Sequence, residues 1–347
     1  MRYTALAAII LGFFSCNVYS AETRGENSFF DGLNQIQRQV KQESEGSFPE
    51  AVAVASQPAR SGRDLTGEFN LAWAGAGIMP GEKEVTELRK YKVLLVRGFM
   101  TGGYVHPFKF FGKKIYIGGY FNDQMKVLKA LGVDYKMVDV DSAMLPAHNA
   151  KKVAREIEAS DKPVIIISHS DGGMYVLEAL VNYNDLLPKV RGFVPIQAPF
   201  LGTPIVDYIK RHAPLLAVMS KLLRHFGGTV DSLFSLSAGE RSRFQDSNSG
   251  TIREIISRVN IISFASWKDE EEHKLDTLLE IPRDLMLKRG IANDGLTPVE
   301  SAILPGSDYI KVSGVDHIVT VMNSDAVLKY DRVRLTRTLL LMIISKK

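Results

Sequence analysis

The residues with the clearest chemistry follow the apolar run PVIII, which is typical of a buried strand. They read SHSDGG over residues 168–173, and the helical pattern MYVLEALVNY comes next. A serine on a sharp turn between a strand and a helix is well placed to attack a carbonyl carbon, but the turn needs small residues two places before and after it. Ser168 and Gly172 satisfy that need. We therefore predict that Ser170 is a nucleophile, although a glycine-containing loop with an incidental serine would give the same letters.

The histidines downstream of Ser170 are the candidates for a base, because a serine hydroxyl becomes a good nucleophile only beside one. His317 follows the strand pattern YIKVS and the loop Gly-Val-Asp, which puts it just beyond a strand end. The others, His212, His225 and His273, lie in an apolar helical region or in the charged run DEEEHK. His317 is therefore the predicted base.

A histidine base also needs a carboxylate that orients its ring. Asp294 lies in the turn Asn-Asp-Gly between Ser170 and His317, which gives the chain order serine, acid, histidine. Because Asn, Asp and Gly favour turns for local reasons, Asp294 could also be a turn residue alone. Asp316 is the rival acid, but it adjoins His317 and would have difficulty in reaching the ring nitrogen. Asp294 is the predicted acid.

Acyl transfer needs hydrogen-bond donors for the negative oxygen of its tetrahedral intermediate. One predicted donor is the backbone N–H of Asp171, at the start of a helix whose N-terminus favours negative charge. The other is the N–H of Phe99, in the run RGFMTGG after the early strand pattern KVLLV. Gly98 would let the backbone approach closely there, and a flexible glycine turn is the alternative.

These residues require a sheet whose strands end together. Short β-branched runs recur along the chain, and helical patterns separate most of them. The runs are Val93–Val96, Tyr135–Val140, Val164–Ile167, Phe193–Ile196, Ile261–Phe264 and Tyr309–Val312. Apolar strands alternating with helices predict an α/β fold with a mostly parallel central sheet and helices on both faces. Function gathers at the carboxyl ends of such strands, where the predicted catalytic residues fall.

The composition excludes several other classes of protein. The chain has 347 residues, of which 45% are hydrophobic and 24% charged, with a net charge of +4 and one Cys. This is ordinary globular composition, and a single Cys cannot build a disulfide scaffold or a Cys-based zinc site. The basic residues form no dense run, so we expect no nucleic-acid partner. We also expect no cofactor.

The N-terminus resembles an export signal. Arg2 precedes the apolar stretch Ala5–Phe14, which is long enough for a signal peptide and too short to span a bilayer. Small residues around Ser20 predict cleavage after it, and hence a signal peptide over 1–20 and a periplasmic or secreted protein. A lipoprotein anchor at Cys16 and a buried N-terminal helix are the less favoured alternatives. We expect no transmembrane segment.

Taken in order, the motifs resemble those of secreted bacterial lipases of the α/β-hydrolase superfamily, close to the triacylglycerol lipases. LLVRGF is similar to the family's strand followed by His-Gly-Leu, and SHSDGG to its Gly-His-Ser-x-Gly-Gly. QAPFLGTPIVDYI, SAGERSRFQDSN, SFASW, NDGLTPVESA and VDHIVTV also resemble family segments. The resemblance runs from about Val93 to Met322. It implies the α/β-hydrolase fold and an ester hydrolase with Ser170, Asp294 and His317 as its triad.

The chain departs from this family at several places. Arg97 stands where the family has His, and Asp171 stands where Gln is common, so a carboxylate lies beside the predicted oxyanion unless it points away. The family's structural calcium would need an Asp at Val319, so we predict no metal site. The segment 104–121 is also atypical, and its aromatic residues could line an acyl groove or simply pack the insertion.

A long insertion over about 201–257 interrupts the main domain, which we place at 91–347 after an arm or linker over 21–90. It contains APLLAVMSKLLRHFGG, whose apolar residues recur at helical spacing. Such a helix over the strand ends could be a lid that opens at a lipid surface or a permanently packed cap. Leu216 and Leu223 on this helix, and Met100 after the early strand, are the predicted substrate-binding residues.

These patterns together predict an exported hydrolase of carboxylic esters with lipid-like acyl chains, acting in solution or at a lipid–water interface. Two alternatives stay open. The same acyl-enzyme could pass its acyl group to an alcohol instead of water, which would make the protein an acyltransferase. A non-catalytic surface or binding protein could also keep the fold. The sequence does not indicate an oligomeric state.

Overall fold

The computed structural model describes residues 62–75, 80–98, 108–110, 113–115, 119–141, 143–225, 228–269, 279–322 and 329–346. The predicted signal peptide, most of the predicted arm, and the loop with Phe99 and Met100 lie outside the described residues, so those predictions stay predictions.

Strands and helices alternate along the described part of the chain. The strands are β1 Lys92–Val96, β2 Phe108–Phe110, β3 Lys113–Ile115, β4 Asp134–Met137, β5 Val164–His169, β6 Val190–Ile196, β7 Asn260–Trp267 and β8 Asp308–Ser313. The helices are α1 Thr66–Gly75, α2 Glu82–Leu88, α3 Asn122–Leu131, α4 Pro146–Glu158, α5 Gly172–Asn182, α6 Pro204–Arg211, α7 Ala213–His225, α8 Val230–Phe234, α9 Ala238–Ser247, α10 Ser249–Arg258, α11 Glu280–Leu287 and α12 Arg332–Ser345.

Six of these strands form one parallel sheet in the order β4-β1-β5-β6-β7-β8. Every predicted strand run lies in it, although the run Tyr135–Val140 forms a strand that ends earlier, at Met137. Strand β5 lies inside the sheet and all of its residues are buried, which explains its unbroken apolar sequence. The predicted parallel sheet is therefore confirmed. Strands β2 and β3 form a separate antiparallel pair within the atypical segment 104–121.

The core has two layers, one on each face of the sheet. Val93 and Leu95 of β1 belong to an apolar cluster with α1, α2, α3 and α12. Leu94 and Val96, which alternate with them, belong to a second cluster with α4, α5 and α10. Each fully buried aliphatic side chain contributes about 1.5–3 kcal/mol, so the two layers hold the strand ends in a fixed relation. The prediction of helices on both faces is confirmed.

The N-terminal part of the described chain packs on the sheet more closely than its polar composition suggests. The backbone N–H of Leu65 donates to the Tyr309 carbonyl at 2.8 Å, and the Tyr309 N–H donates to the Arg63 carbonyl at 3.0 Å. Leu65 and Phe69 are buried in the core. The segment around Leu65 and Phe69, which the prediction places in the arm over 21–90, therefore packs against β8 and the core. The burial of Leu65 and Phe69 attaches this segment to the core although the residues around them are mostly polar.

The insertion between β6 and β7 is helical. Helices α6, α7 and α8 surround an apolar cluster that also takes in Met174 of α5 and Met286 of α11. The helix predicted within APLLAVMSKLLRHFGG is α7. Helix α10 instead joins the core beneath the sheet. Within the described ranges, no helix combines the length and the apolar character that crossing a membrane would need.

Candidate active site

Ser170 lies on the sharp turn that joins β5 to α5. Its φ is 55°, in the left-handed region that costs a residue with a side chain on the order of 1–3 kcal/mol. Two close approaches show why glycines surround it. A Cβ on Gly172 would lie 2.4 Å from the Val96 carbonyl oxygen, and one on Gly98 would lie 2.7 Å from Ser170 Cβ. The motif thus requires small residues because the turn at Ser170, called the elbow below, lies in close contact with the end of β1.

His317 and Asp294 form a buried pair beyond the ends of β8 and β7. His317 Nδ1 lies 2.8 Å from Asp294 Oδ2, with the His317 side chain 5% exposed and the Asp294 side chain 0%. The other oxygen, Asp294 Oδ1, accepts from the backbone N–H groups of Leu296 at 3.0 Å and Thr297 at 2.7 Å. Because a carboxylate accepts, Nδ1 carries a proton, and in the neutral ring Nε2 then has the free lone pair. The structure therefore brings the predicted base and acid together in the orientation that a base needs.

Asp316, the rival acid, has a different environment. Its Oδ1 accepts from the backbone N–H groups of Ile318 at 2.8 Å and Val319 at 2.9 Å. The carboxylate thus supports the turn on which His317 lies. Of the alternative histidines, His212 contacts the Tyr208 carbonyl with Nδ1 at 2.7 Å, between α6 and α7. His273 lies outside the described residues.

The loop that carries His317, called the base loop below, contacts the elbow through His169, the residue before Ser170. The rings of His169 and His317 have centroids 4.6 Å apart, and His169 Nε2 lies 2.8 Å from the His317 backbone carbonyl. This contact places the base loop directly beside the elbow. The three predicted catalytic residues therefore lie at one end of the sheet.

Asp171 is the N-cap residue of α5, so its backbone N–H lies at the positive end of that helix. A Cβ built on Gly98 would lie 3.2 Å from this nitrogen, which shows how closely the loop after β1 approaches it. Phe99, the other predicted donor, lies outside the described residues. The carboxylate of Asp171 points into the protein, where Oδ2 accepts from the Tyr175 hydroxyl at 2.7 Å. The Asp171 carboxylate, which the sequence placed beside the predicted oxyanion, thus points toward helix α5 instead.

A buried charge cluster, consisting of Asp171, Tyr175, Glu178 and Arg241, lies beneath the elbow. Arg241 Nη1 donates to Glu178 Oε1 at 3.0 Å, and this ion pair joins α9 of the insertion to α5. Burial raises the pKa of Asp171 to about 7, although the Tyr175 hydrogen bond and the Arg241 charge oppose the shift. Burial also raises the pKa of Glu178 despite its partner. The cluster was not predicted, because a Glu and an Arg at a separation of 63 residues carry no local signal.

The predicted substrate-binding residues on α7 differ in exposure. Leu223 is completely buried in the apolar cluster of the insertion, and Leu216 is partly buried against the same cluster. Met100 lies outside the described residues. In the part of the chain that the structure covers, no group of three or more His, Cys, Asp or Glu side chains could hold a metal ion. Val319, where the calcium-binding Asp was missing, is buried.

Solved structures share the fold of this chain but little of its sequence. A metagenomic carboxyl esterase superposes with a TM-score of 0.67 and 18% identity, over 89% of this chain and 99% of the esterase. A Bacillus licheniformis lipase in its mature form superposes with a TM-score of 0.55 and 18% identity, over 74% of this chain and 92% of the lipase. No family model matches the sequence, and neither does any curated protein. These likenesses, with the parallel sheet and its two helical layers, establish the α/β-hydrolase fold.

Proposed function

We propose that this chain hydrolyses carboxylic esters through a triad of Ser170, His317 and Asp294. The observation that carries the proposal is the pair His317–Asp294, at 2.8 Å and almost completely buried, beside a serine whose backbone has a φ of 55°. A histidine whose Nδ1 is held by a carboxylate presents Nε2 as a base. A serine held in a strained turn at the N-terminus of a helix costs free energy of folding, and such strain is typical of a nucleophile in this position.

The proposed reaction begins when Ser170 Oγ attacks the carbonyl carbon of the ester and His317 Nε2 takes the hydroxyl proton. Asp294 stabilises the imidazolium that forms, while the backbone N–H groups of Asp171 and Phe99 donate to the carbonyl oxygen as it becomes negative. The C–O bond to the leaving alcohol then breaks, and the imidazolium returns its proton to that alcohol. Water repeats these steps on the acyl-enzyme, which releases the acid and restores Ser170.

Two features of the site favour the charged transition state. The first is the burial of His317 and Asp294, which strengthens their interaction relative to water. The second is the N-terminus of α5, whose N–H groups point toward the developing oxyanion. Removing one such oxyanion donor costs about 10²–10³ in kcat in a serine protease, so these groups are a major part of the expected rate.

Lipid-like acyl esters are the proposed substrate class. The apolar cluster of α6, α7 and α8 begins just after β6, at the same end of the sheet as the triad. Apolar side chains near the triad suit an acyl chain, since each methylene transferred out of water contributes about 0.8 kcal/mol. The structures that share the fold are named as a carboxyl esterase and a lipase, which agrees with this class.

The proposal is tested by the hydrolysis of p-nitrophenyl esters from acetate to palmitate. We expect turnover by the wild type and a profile that rises with chain length. Ser170→Ala should remove this turnover, while Ser168→Ala is the matched control. Ser168 lies two residues away and its buried hydroxyl has no hydrogen-bond partner among the described residues, so its loss should leave turnover unchanged. A folded wild type without activity on any ester would reject the proposal, as would an active Ser170→Ala variant.

A further inference from the structure

A chain of hydrogen bonds crosses the site from the loop after β1 to the base loop. The Gly98 N–H donates to the Tyr120 hydroxyl oxygen at 3.3 Å, and that hydroxyl contacts His169 Nδ1. On the other side of the ring, His169 Nε2 lies 2.8 Å from the carbonyl of His317. One buried imidazole therefore connects the segment that leads to the predicted oxyanion donor with the segment that carries the base.

The contacts determine the tautomer of His169. A backbone carbonyl only accepts, so Nε2 must carry the proton that it donates to His317. Gln197 Oε1, at 3.2 Å from the same nitrogen, is also an acceptor, because the amide nitrogen of Gln197 donates to the Asp316 carbonyl at 3.0 Å. In the neutral ring, Nδ1 then accepts the proton of the Tyr120 hydroxyl. Every polar atom of the ring has a partner in this tautomer.

The neutral state of His169 matters for the proposed reaction. Burial keeps the pKa of His169 well below its ordinary value, and the nearby His317 lowers it further. Burial also raises the pKa of Tyr120, so its hydroxyl remains a donor. His317 becomes an imidazolium during the reaction, and a second positive ring at a centroid distance of 4.6 Å would oppose that step. A neutral ring can hold the base loop without this penalty.

Gln197 supports the base loop from below. It follows β6 with a φ of 54° and is completely buried. Its amide nitrogen donates to Ser266 Oγ at 2.6 Å and to the Asp316 carbonyl, and its amide oxygen accepts from Thr320 Oγ1 at 2.7 Å. The residues on both sides of His317 are thus attached to one side chain. Displacing the loop would leave several buried polar groups unpaired, which is costly.

We propose that His169 is a positioning residue for His317, with the Tyr120 hydroxyl fixing its tautomer and Gln197 holding the loop on either side of the base. The proposal rests on the function proposed above. His169 acts on the base through its hydrogen bond to the His317 carbonyl and through the contact between the two rings. Its role is to hold the base loop beside Ser170 while the charge on His317 changes. A displacement of about 1 Å at such a site can cost 10²-fold in rate, so a positioning role has a measurable effect.

The test compares His169→Gln with His169→Leu. A glutamine amide can place an N–H near the position of Nε2 and keep the bond to the His317 carbonyl, whereas leucine cannot. We expect His169→Leu to lower kcat for a soluble short-chain ester about 10²-fold with KM within about threefold. We expect His169→Gln to retain kcat within about fivefold of the wild type, because it keeps the proposed bond. Equal losses in the two variants would overturn the proposal, as would a loss confined to KM.

Tyr120→Phe provides a second variant if His169→Leu does not fold. It removes one hydroxyl and leaves the ring in its edge-on contact with Phe121. We expect about a tenfold lower kcat, because the tautomer of His169 is no longer fixed. The matched control is Tyr91→Phe, whose hydroxyl donates to Glu87 at 2.9 Å just before β1, at the opposite end of the sheet from the triad. A Tyr120→Phe enzyme that is as active as the control would contradict the role of Tyr120.

A readout that needs no turnover separates this proposal from the proposed function. The His317 Nδ1 proton, which is hydrogen-bonded to the buried Asp294 carboxylate, should give a low-field proton NMR resonance that is absent in Asp294→Asn. We expect this resonance to persist in His169→Gln and to shift upfield or broaden in His169→Leu. If the wild type hydrolyses no ester, the proposed function fails while the resonance still tests the positioning. An unchanged resonance and an unchanged kcat in His169→Leu would overturn the positioning role.

Discussion

The base loop and the helical insertion both begin at the carboxyl ends of strands, but different forces hold them. The loop around His317 is attached by directional hydrogen bonds to His169, to Gln197 and to the Asp294 backbone, whose carbonyl accepts from the His317 N–H at 2.9 Å. The apolar cluster of α6, α7 and α8 consists of side chains such as Leu223. Hydrogen bonds therefore set the geometry of the base loop, whereas apolar burial holds α6, α7 and α8 together.

This difference determines what each region tolerates. Moving the base loop would leave buried donors and acceptors unpaired, at about 1–3 kcal/mol for each group. Moving α6, α7 and α8 would expose apolar area at about 25 cal/mol per Å², a cost that depends on the area and not on direction. We therefore expect substitutions near His317 to change kcat, and substitutions in α6, α7 and α8 to change stability or substrate range.

The largest effect should come from Asp294→Asn. The amide can donate to His317 Nδ1, which would place the proton on the wrong nitrogen and remove the base. We expect kcat to fall by up to about four orders of magnitude with the melting temperature nearly unchanged, as in a serine protease. Steady-state kinetics on a short-chain ester measure this. Near-normal kcat would show that the directional contacts of the loop do not serve catalysis.

Glu178→Gln tests the ion pair between Glu178 of α5 and Arg241 of the insertion. It leaves the Arg241 guanidinium buried without its partner charge, so we expect a loss of about 3–5 kcal/mol in the free energy of unfolding. Burial also lowers the pKa of Arg241, which indicates that the ion pair does not fully offset its desolvation. The double variant Glu178→Leu with Arg241→Met should therefore recover most of the loss in urea denaturation. A double variant as unstable as the single one would contradict this account.

Asp171→Asn should change stability in a pH-dependent way. An aspartate in the unfolded chain titrates near pH 4, whereas burial raises the pKa of Asp171 to about 7 in the folded protein. The folded state therefore favours the proton, and this contribution is lost as the pH rises from about 4 to 7. The variant keeps an oxygen for the Tyr175 hydroxyl. We expect equal melting temperatures near pH 4 and a variant that is more stable than the wild type, by at most about 4 kcal/mol, near pH 9. The same difference at both pH values would refute the titration.

Leu216→Ser should have the smallest effect and decides between a lid and a fixed cap. Leu216 is only partly buried, so we expect less than about 1 kcal/mol in stability and a selective loss of activity on emulsified long-chain esters. Leu223→Ala is the matched variant on the same helix and should cost about 2–5 kcal/mol, because the side chain is completely buried. If Leu216→Ser lowers the short-chain activity and the melting temperature together, the helix is a fixed cap.

The sequence predicted the parts of this molecule that leave a local pattern. The buried strands have unbroken apolar runs, and the elbow requires small residues at fixed spacing around Ser170. His317 is predicted because it follows a strand, and Asp294 because it lies in a turn between Ser170 and His317, in the chain order serine, acid, histidine. Their contact at 2.8 Å agrees with that order.

The residues that the sequence did not reveal act over long separations. His169 and Gln197 hold a loop more than 100 residues away, and nothing near them in the chain marks that contact. A polar residue directly after a buried strand was the only available signal for Gln197. The segment with Leu65 falls in the predicted arm because the stretch up to about Glu68 is rich in polar residues, which hides the few apolar side chains that reach the core.

The central claim is that Ser170 is an activated nucleophile, and reaction with a fluorophosphonate probe tests it most directly. The folded protein should acquire one covalent adduct, which peptide mass spectrometry should locate on Ser170. Asp294→Asn should slow this labelling strongly, because the base is lost, while Tyr91→Phe should label like the wild type. A well-folded protein that acquires no adduct, or that carries the adduct on another serine, would contradict the claim.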